Sequence, residues 1–361
     1  MRTSIDVLAV LICCPSFAGF AQQGTPPSQI PPGTQRPGFA AAQPGRFVTL
    51  DVVVTDPAGH PVPGLQQQDF TILDDKVPRT ILSFSATEAS SEMADRPLRA
   101  ILILDAVNTS VEGIAYQRQE LTKFLRQGDG ALPLPMSLLL LTETAEKPSV
   151  ATRDRNELLN SLTSMRSGLR TITRAQGFYG GADRTHISLN TLARLASYEA
   201  TQPGRKLVIW LGPGWPLLSG PSVRLSDKTQ EALFQNIVKL STELREAGIT
   251  IYNVGLLGMT ERLDEALYFQ GFLKGVASAG KVQPGNLALQ VLAIQSGGRV
   301  LNASSDIAAS IATCLKDVKA FYTLSFDSSP ADHRDEYHSL QVRIDRPKLT
   351  AHTRTGYYAQ P

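Results

Sequence analysis

The sequence predicts a mixed α/β chain in which a Rossmann-like, mostly parallel sheet with helices on both faces stands beside a smaller β-sandwich. Three observations predict it. Apolar runs of strand length alternate with amphipathic helical stretches through the middle of the chain, as buried parallel strands and their crossover helices require. On either side of that region apolar residues alternate at period two, the pattern of strands with one buried face. Finally, 361 residues, 42% hydrophobic and 19% charged, suit one medium α/β unit with a smaller second one.

The chain opens on Arg2, an apolar stretch from Val7 to Cys14, and the small residues Gly19 and Ala21, which together predict a signal peptide over residues 1–21, cleaved after Ala21. The expected location is therefore outside the cytoplasm, periplasmic or extracellular. Neither Cys13 nor Cys14 follows the small residue that lipidation needs, and no later run is long and apolar enough to span a bilayer. Residues 22–45, rich in Pro and Gln, cannot bury a core and read as a flexible linker.

From Phe47 the pattern changes. Val48, Leu50, Val52 and Val54 make one face of a strand that ends at the turn Asp56-Pro57-Ala58-Gly59. Phe70 to Leu73 and Ile81 to Phe84 add two strands around the acidic bend Asp74-Asp75. Strands return at Tyr322 to Phe326, Leu340 to Ile344 and Leu349 to Tyr357. Three strands alone bury little, so residues 46–92 and 321–358 are predicted to pair into one discontinuous sandwich flanking an α/β domain over 96–320.

Within 96–320 the predicted strands are Leu98 to Leu104, Met136 to Leu141, Lys206 to Leu211, Ile249 to Val254 and a short one near Arg299 to Leu301. One helix opens at Asp227 with Gln230 three residues on and closes at Gly248; another carries Leu189, Leu192, Ala193 and Ala196. Ile307, Ile311, Cys314, Leu315 and Val318 mark a third helical face. Signal removal leaves Cys314 as the sole cysteine, so the expectation is a buried, inert thiol and no disulfide.

Open parallel sheets bind ligands beyond the carboxyl ends of their strands, where the strand order switches. The first central strand ends in Asp105-Ala106-Val107-Asn108-Thr109. A strand ending in Asp with a hydroxyl residue four positions later resembles the metal-ion-dependent adhesion site of von Willebrand factor type A domains. That resemblance implies an Asp-x-Ser-x-Ser loop, a second-loop Thr and a later Asp gathered around Mg2+ or Mn2+. Here Asp105 and Thr109 fit, Val107 replaces the first serine, and Asn108 beside it is the candidate ligand that would compensate. Thr185 matches the second-loop threonine, with Thr173 as the alternative, while Gly212 occupies the place where the family carries its later Asp. Glu143, past the strand ending at Leu141, reads either as a second carboxylate or as a solvated loop acid. Asp105 itself reads either as a ligand or as a cap for the following helix.

A wider resemblance, to bacterial proteins with von Willebrand factor type A-related domains, many encoded in Acidobacteria, covers roughly residues 46–358. It rests on Val48 to Asp56, Gly64-Leu65, Asp69-Phe70, Asn108-Thr109, Pro203-Gly204-Arg205-Lys206, Gly297-Gly298-Arg299 and Gly356-Tyr357-Tyr358-Ala359.

The formal charge of +2 is spread without a Lys/Arg block, which removes the footprint of a nucleic-acid binder. No nucleophile elbow, His-Glu-x-x-His helix, phosphate loop or dinucleotide fingerprint is present, so the chain is not read as an enzyme. The expected function is an exported, adhesion-like module that takes a protein partner through an acidic residue at the sheet edge. A metal-independent envelope scaffold or periplasmic assembly factor is the alternative, and a metal-dependent hydrolase a more distant one.

Overall fold

The computed structural model describes residues 47–88, 97–128, 130–144, 147–165, 178–215, 225–255, 268–302, 304–318, 320–328 and 330–359. The segments read as signal peptide and linker lie outside the described residues, as does Thr173. Four strands come first: β1 (Phe47–Thr55), β2 (Phe70–Asp74), β3 (Val77–Arg79) and β4 (Ile81–Glu88). The middle alternates: β5 (Leu98–Asp105), α1 (Val111–Arg126), β6 (Met136–Leu141), α2 (Arg155–Ser164), α3 (Phe178–Ala200) and β7 (Arg205–Leu211). It continues through α4 (Asp227–Glu246), β8 (Ile249–Val254), α5 (Leu289–Gln295), β9 (Val300–Leu301) and α6 (Ile307–Lys316). Four strands close the chain: β10 (Ala320–Asp327), β11 (Glu336–Ile344), β12 (Thr350–His352) and β13 (Gly356–Ala359).

The central sheet has the order β6-β5-β7-β8-β9, with every pair parallel. Ile101, Ile103, Val208, Trp210 and Ile251 on one face pack against α3, α4 and α5; Leu102, Leu104, Leu138, Ile209 and Tyr252 on the other pack against α1, α2 and α6. Burial on both faces explains why these strands read as unbroken apolar runs. The helices start where their caps dictate. Ser110 accepts from Gly113 N, Asp306 accepts from Ala309 N, and Ser226, one residue before the predicted Asp227, caps α4 through Thr229 N.

Lys206 precedes the apolar run of β7 and is 1% exposed. Its Nζ donates to Glu199 O at 2.8 Å, to Ala247 O at 3.0 Å and to Gln202 O, thereby tying the carboxyl ends of α3 and α4 to the sheet. Cys314 is buried in α6, and desolvation together with the nearby Asp317 charge holds its thiol protonated.

The remaining strands form two antiparallel four-stranded sheets, β12-β1-β10-β4 and β13-β11-β2-β3. Their facing sides share one core containing Val48, Leu50, Val52, Phe70, Ile72, Tyr322, Leu324, Phe326, Leu340 and Val342. Both sheets thus mix strands from before and after the α/β region. The strand predicted over Leu349 to Tyr357 is two strands in different sheets: β12 pairs with β1 and β13 with β11. The intervening residues are held from opposite sides, because Thr353 Oγ1 donates to Asp51 O at 2.9 Å while Thr355 N donates to Gln295 O at 3.2 Å. The sequence reading also missed β3, whose three residues are too few to show a period.

His352 on β12 sits with its Nε2 3.1 Å from Thr55 Oγ1. Burial, followed by the Arg299 charge, lowers its pKa from 6.5 to about 4. Between those two values the unfolded chain holds the proton and the folded chain does not. Stability is therefore complete above pH 6.5 and falls as the pH drops through about 4. Urea midpoints measured across this window should decline toward acid, with a shallower decline in His352→Gln. Equal slopes in the two proteins would refute the assignment.

Candidate functional site

In this sheet the chain runs first through β5, moves outward to β6, then returns to the other side of β5 as β7. The strand order reverses between β5 and β7, so the crevice beyond their carboxyl ends is the expected ligand position. Asp105 closes β5 there and Gly212 follows β7.

Asp105 is wholly buried. Its Oδ1 accepts from Val107 N at 3.1 Å, Asn108 N at 2.8 Å and Asn108 Nδ2 at 3.1 Å. Its Oδ2 accepts from Asn108 Nδ2 at 2.9 Å and from Trp210 Nε1 at 2.9 Å. Burial pushes the carboxyl above the usual carboxylate range, while the Trp210 and Asn108 donors pull the other way. Asn108 turns its nitrogen toward Asp105, since its oxygen there would face a carboxylate; the same nitrogen donates to Ser188 Oγ at 3.0 Å. Thr109, 3% exposed, accepts from Gln117 Nε2 at 3.4 Å.

Gly212 presses on this group. A Cβ there would lie 2.9 Å from Asp105 Cβ and 3.4 Å from Thr109 Oγ1, so no carboxylate-bearing residue fits without displacing the loop. Asn253 Nδ2 donates to Gly212 O at 2.9 Å and fixes the backbone from the β8 side. Trp215 covers Trp210 edge-on, with ring centroids 5.3 Å apart, and donates to Leu287 O at 2.7 Å.

The structure brings Asp105, Asn108 and Thr109 together. The predicted loop before Thr185 is helix: Gly180 to Arg184 lie inside α3, and Thr185 Oγ1 donates back to Gly181 O at 3.0 Å. Ser188, one turn on, accepts from Asn108 Nδ2. Glu143 is exposed after β6 and makes no hydrogen bond to Asp105 or Thr109 among the described residues. The residues do not fit the Mg2+ or Mn2+ that the adhesion-site resemblance implies. The carboxylate already accepts N–H groups on both oxygens, Val107 supplies no oxygen, and position 212 has no room for a second acid.

A different group can hold a metal ion. Asp74, Asp75 and His338 each offer one ligand atom, all within 4.8 Å of one another. His338 Nδ1 lies 3.2 Å from Asp74 Oδ1 and 3.2 Å from Asp75 Oδ2. Other protein groups hold the remaining oxygens: Tyr357 OH donates to Asp74 Oδ2 at 3.1 Å, Arg79 Nε lies 3.3 Å from it, and Ser339 donates to Asp75 Oδ1 at 2.9 Å through both N and Oγ. The imidazole stacks on Tyr357, ring centroids 5.1 Å apart.

Sequence reasoning saw Asp74-Asp75 only as a bend and His338 only as a strand residue. Pairing of Leu340 with Asp74 across β11 and β2 joins them, and no local spacing encodes that register. Trp210 carried a readable signal, because an indole N–H in a buried strand needs an acceptor nearby.

No protein-family profile matches the chain, and no curated protein does. Among solved structures, the human COPII-coat protein Sec24c aligns with 77% of this chain and 46% of its own, at 8% identity and a TM-score of 0.34. Three N-terminal domains of the type V pili tip protein Mfa5 from Porphyromonas gingivalis align over 89% of this chain and 67% of theirs, at 10% identity and a TM-score of 0.31. The chain thus spans about half the length of the coat protein it matches. Scores this low carry neither family nor function to this chain.

Proposed function

We propose that this chain is an exported protein-binding module, related to von Willebrand factor type A domains, whose sheet edge works without a metal. One observation carries the reading: both oxygens of Asp105, at the switch in strand order, accept hydrogen bonds from fixed protein N–H groups. The carboxylate orders the β5–α1 loop and locks it to Trp210, leaving loop surface rather than a reactive group for a partner to meet. The signal-like start and Pro-rich spacer support export and reach.

Among the described residues, a cation-dependent reading is favoured only by Asp74, Asp75 and His338. One imidazole nitrogen with two carboxylate oxygens suits Zn2+ better than Mg2+. Zinc bonds of about 2.1 Å set tetrahedral ligand atoms about 3.4 Å apart, near the observed separations.

Isothermal titration of metal-stripped protein tests both readings. Mg2+ and Mn2+ should give no saturable heat that Thr109→Val abolishes, and capture of envelope proteins by the chain should be unchanged in chelator. Saturable Mg2+ binding lost in Thr109→Val would overturn the metal-free edge. Zn2+ binding lost in His338→Ala, with Thr109→Val unaffected, would move the cation to the second group.

A further inference from the structure

At the opposite, amino-terminal edge of the parallel sheet, a cleft of about 50 Å³ opens where the antiparallel sheets meet the α/β region. Arg245 at the end of α4 and Arg354 between β12 and β13 line it, with Thr49, Asp51, Thr250 and Ser296. We propose that this cleft binds a compact oxyanion, held between the Arg245 and Arg354 guanidinium groups.

The two cations are placed there by the fold rather than by mutual attraction. Arg354 sits between Thr353, which donates to Asp51 O, and Thr355, whose N–H donates to Gln295 O, so its backbone is pinned to β1 on one side and to α5 on the other. Gly297 packs directly beneath, where a Cβ would come within 2.9 Å of Arg354 N. Of the Arg354 donors, Nη2 reaches Ile249 O at 3.3 Å. Arg245 makes a 3.4 Å pair with Glu246, whose side chain is 61% exposed, a contact that water weakens.

Among the described residues that line the cleft, two guanidinium groups meet one carboxylate. Asp51 is the carboxylate lining it, and Asp51 also accepts from Thr323 Oγ1 at 3.0 Å and faces Arg205 Nε at 3.7 Å. Arg354 responds as a cation short of a partner: burial and then the Arg245 charge lower its pKa to about 10, against the opposing pull of Asp51. An anion between the guanidinium groups relieves both effects, and planar guanidinium forks match the oxygens of phosphate, sulfate or a carboxylate. The cleft volume of about 50 Å³ suits a group of that size. Free phosphate and an acidic side chain of a partner protein share this chemistry. The inference does not rest on the metal-free reading of the other edge, so either can fail alone.

The test is isothermal titration of the full chain with inorganic phosphate at constant ionic strength, chloride replacing phosphate in the reference. Saturable binding in the millimolar range is expected, weakened at least tenfold in Arg245→Gln and in Arg354→Gln. Because Arg354→Gln also loses the bond to Ile249 O, Arg245→Gln, at a side chain that is 24% exposed, decides if that variant fails to fold. Competition by an acetylated aspartyl peptide would identify a partner carboxylate as the source, and competition by sulfate alone a free oxyanion; both outcomes support the site. No saturable phosphate heat in the wild type, or equal heat in Arg245→Gln, overturns it.

Discussion

Asp105→Ala should lose about 3–5 kcal/mol of stability, because truncation leaves several buried donors without an acceptor at about 1–3 kcal/mol each. The donors are Val107 N, Asn108 N, Asn108 Nδ2 and Trp210 Nε1. Part of the loss is offset, since the variant no longer buries a carboxyl whose pKa desolvation has raised. Asp105→Asn is the sharper probe. It keeps the shape but turns an NH2 toward either Trp210 or Asn108, so it should be nearly as damaging. Urea unfolding with an unchanged m-value measures both. A working adhesion site predicts the reverse, namely lost cation binding with stability within about 1 kcal/mol of wild type, as for an ordinary solvent-facing substitution.

Gly298→Ala should be comparably severe for a purely steric reason. A Cβ at Gly298 would stand 1.8 Å from Ile251 O, where α5 turns into β9 against β8. At Gly204, with φ of +90°, the added carbon would stand 1.9 Å from Pro97 O at the base of β5 and β7. Neither obstacle is the end of a flexible side chain, so the sheet itself has to move. Losses above about 4 kcal/mol, or no folded protein, are expected for each. Gly280→Ala, where nothing lies within 4 Å, serves as the neutral control. If Gly298→Ala unfolds at the same urea concentration as that control, the close approach of α5 to β8 is wrong.

These two sites show what the sequence could and could not reveal. The central strands were legible because burial on both faces leaves an uninterrupted apolar signature, and α3, α4 and α6 because their apolar residues recur at helical spacing. The loop Asp105 to Thr109 was legible as a strand end followed by polar residues. Its chemistry was not, since whether Asp105 faces a metal or an indole depends on Trp210, a strand away. The resemblance puts Thr185 in a second loop, yet the fold carries it inside α3 together with Gly180 and Gly181, glycines that helices tolerate at a cost in stability. The Asp74-Asp75-His338 group and the Arg245-Arg354 cleft each join residues far apart in the chain. Only register and packing between sheets create them, and no local pattern records either.

The mixing of early and late strands in both antiparallel sheets has a kinetic consequence. Phe47 is paired with Asp327, and β2 waits for β11, so the closing contacts of these sheets span nearly the whole described chain. Such high contact order slows folding, because the loop-closure entropy falls due before the pairing rewards it. Until β10 and β11 arrive, β1 and β2 present alternating apolar strands with open edges. The β5–β9 sheet, built from neighbouring segments, can assemble meanwhile. In refolding, the α/β region should become protected from hydrogen exchange before β1 does, and the interval between them is when this chain is most exposed to aggregation.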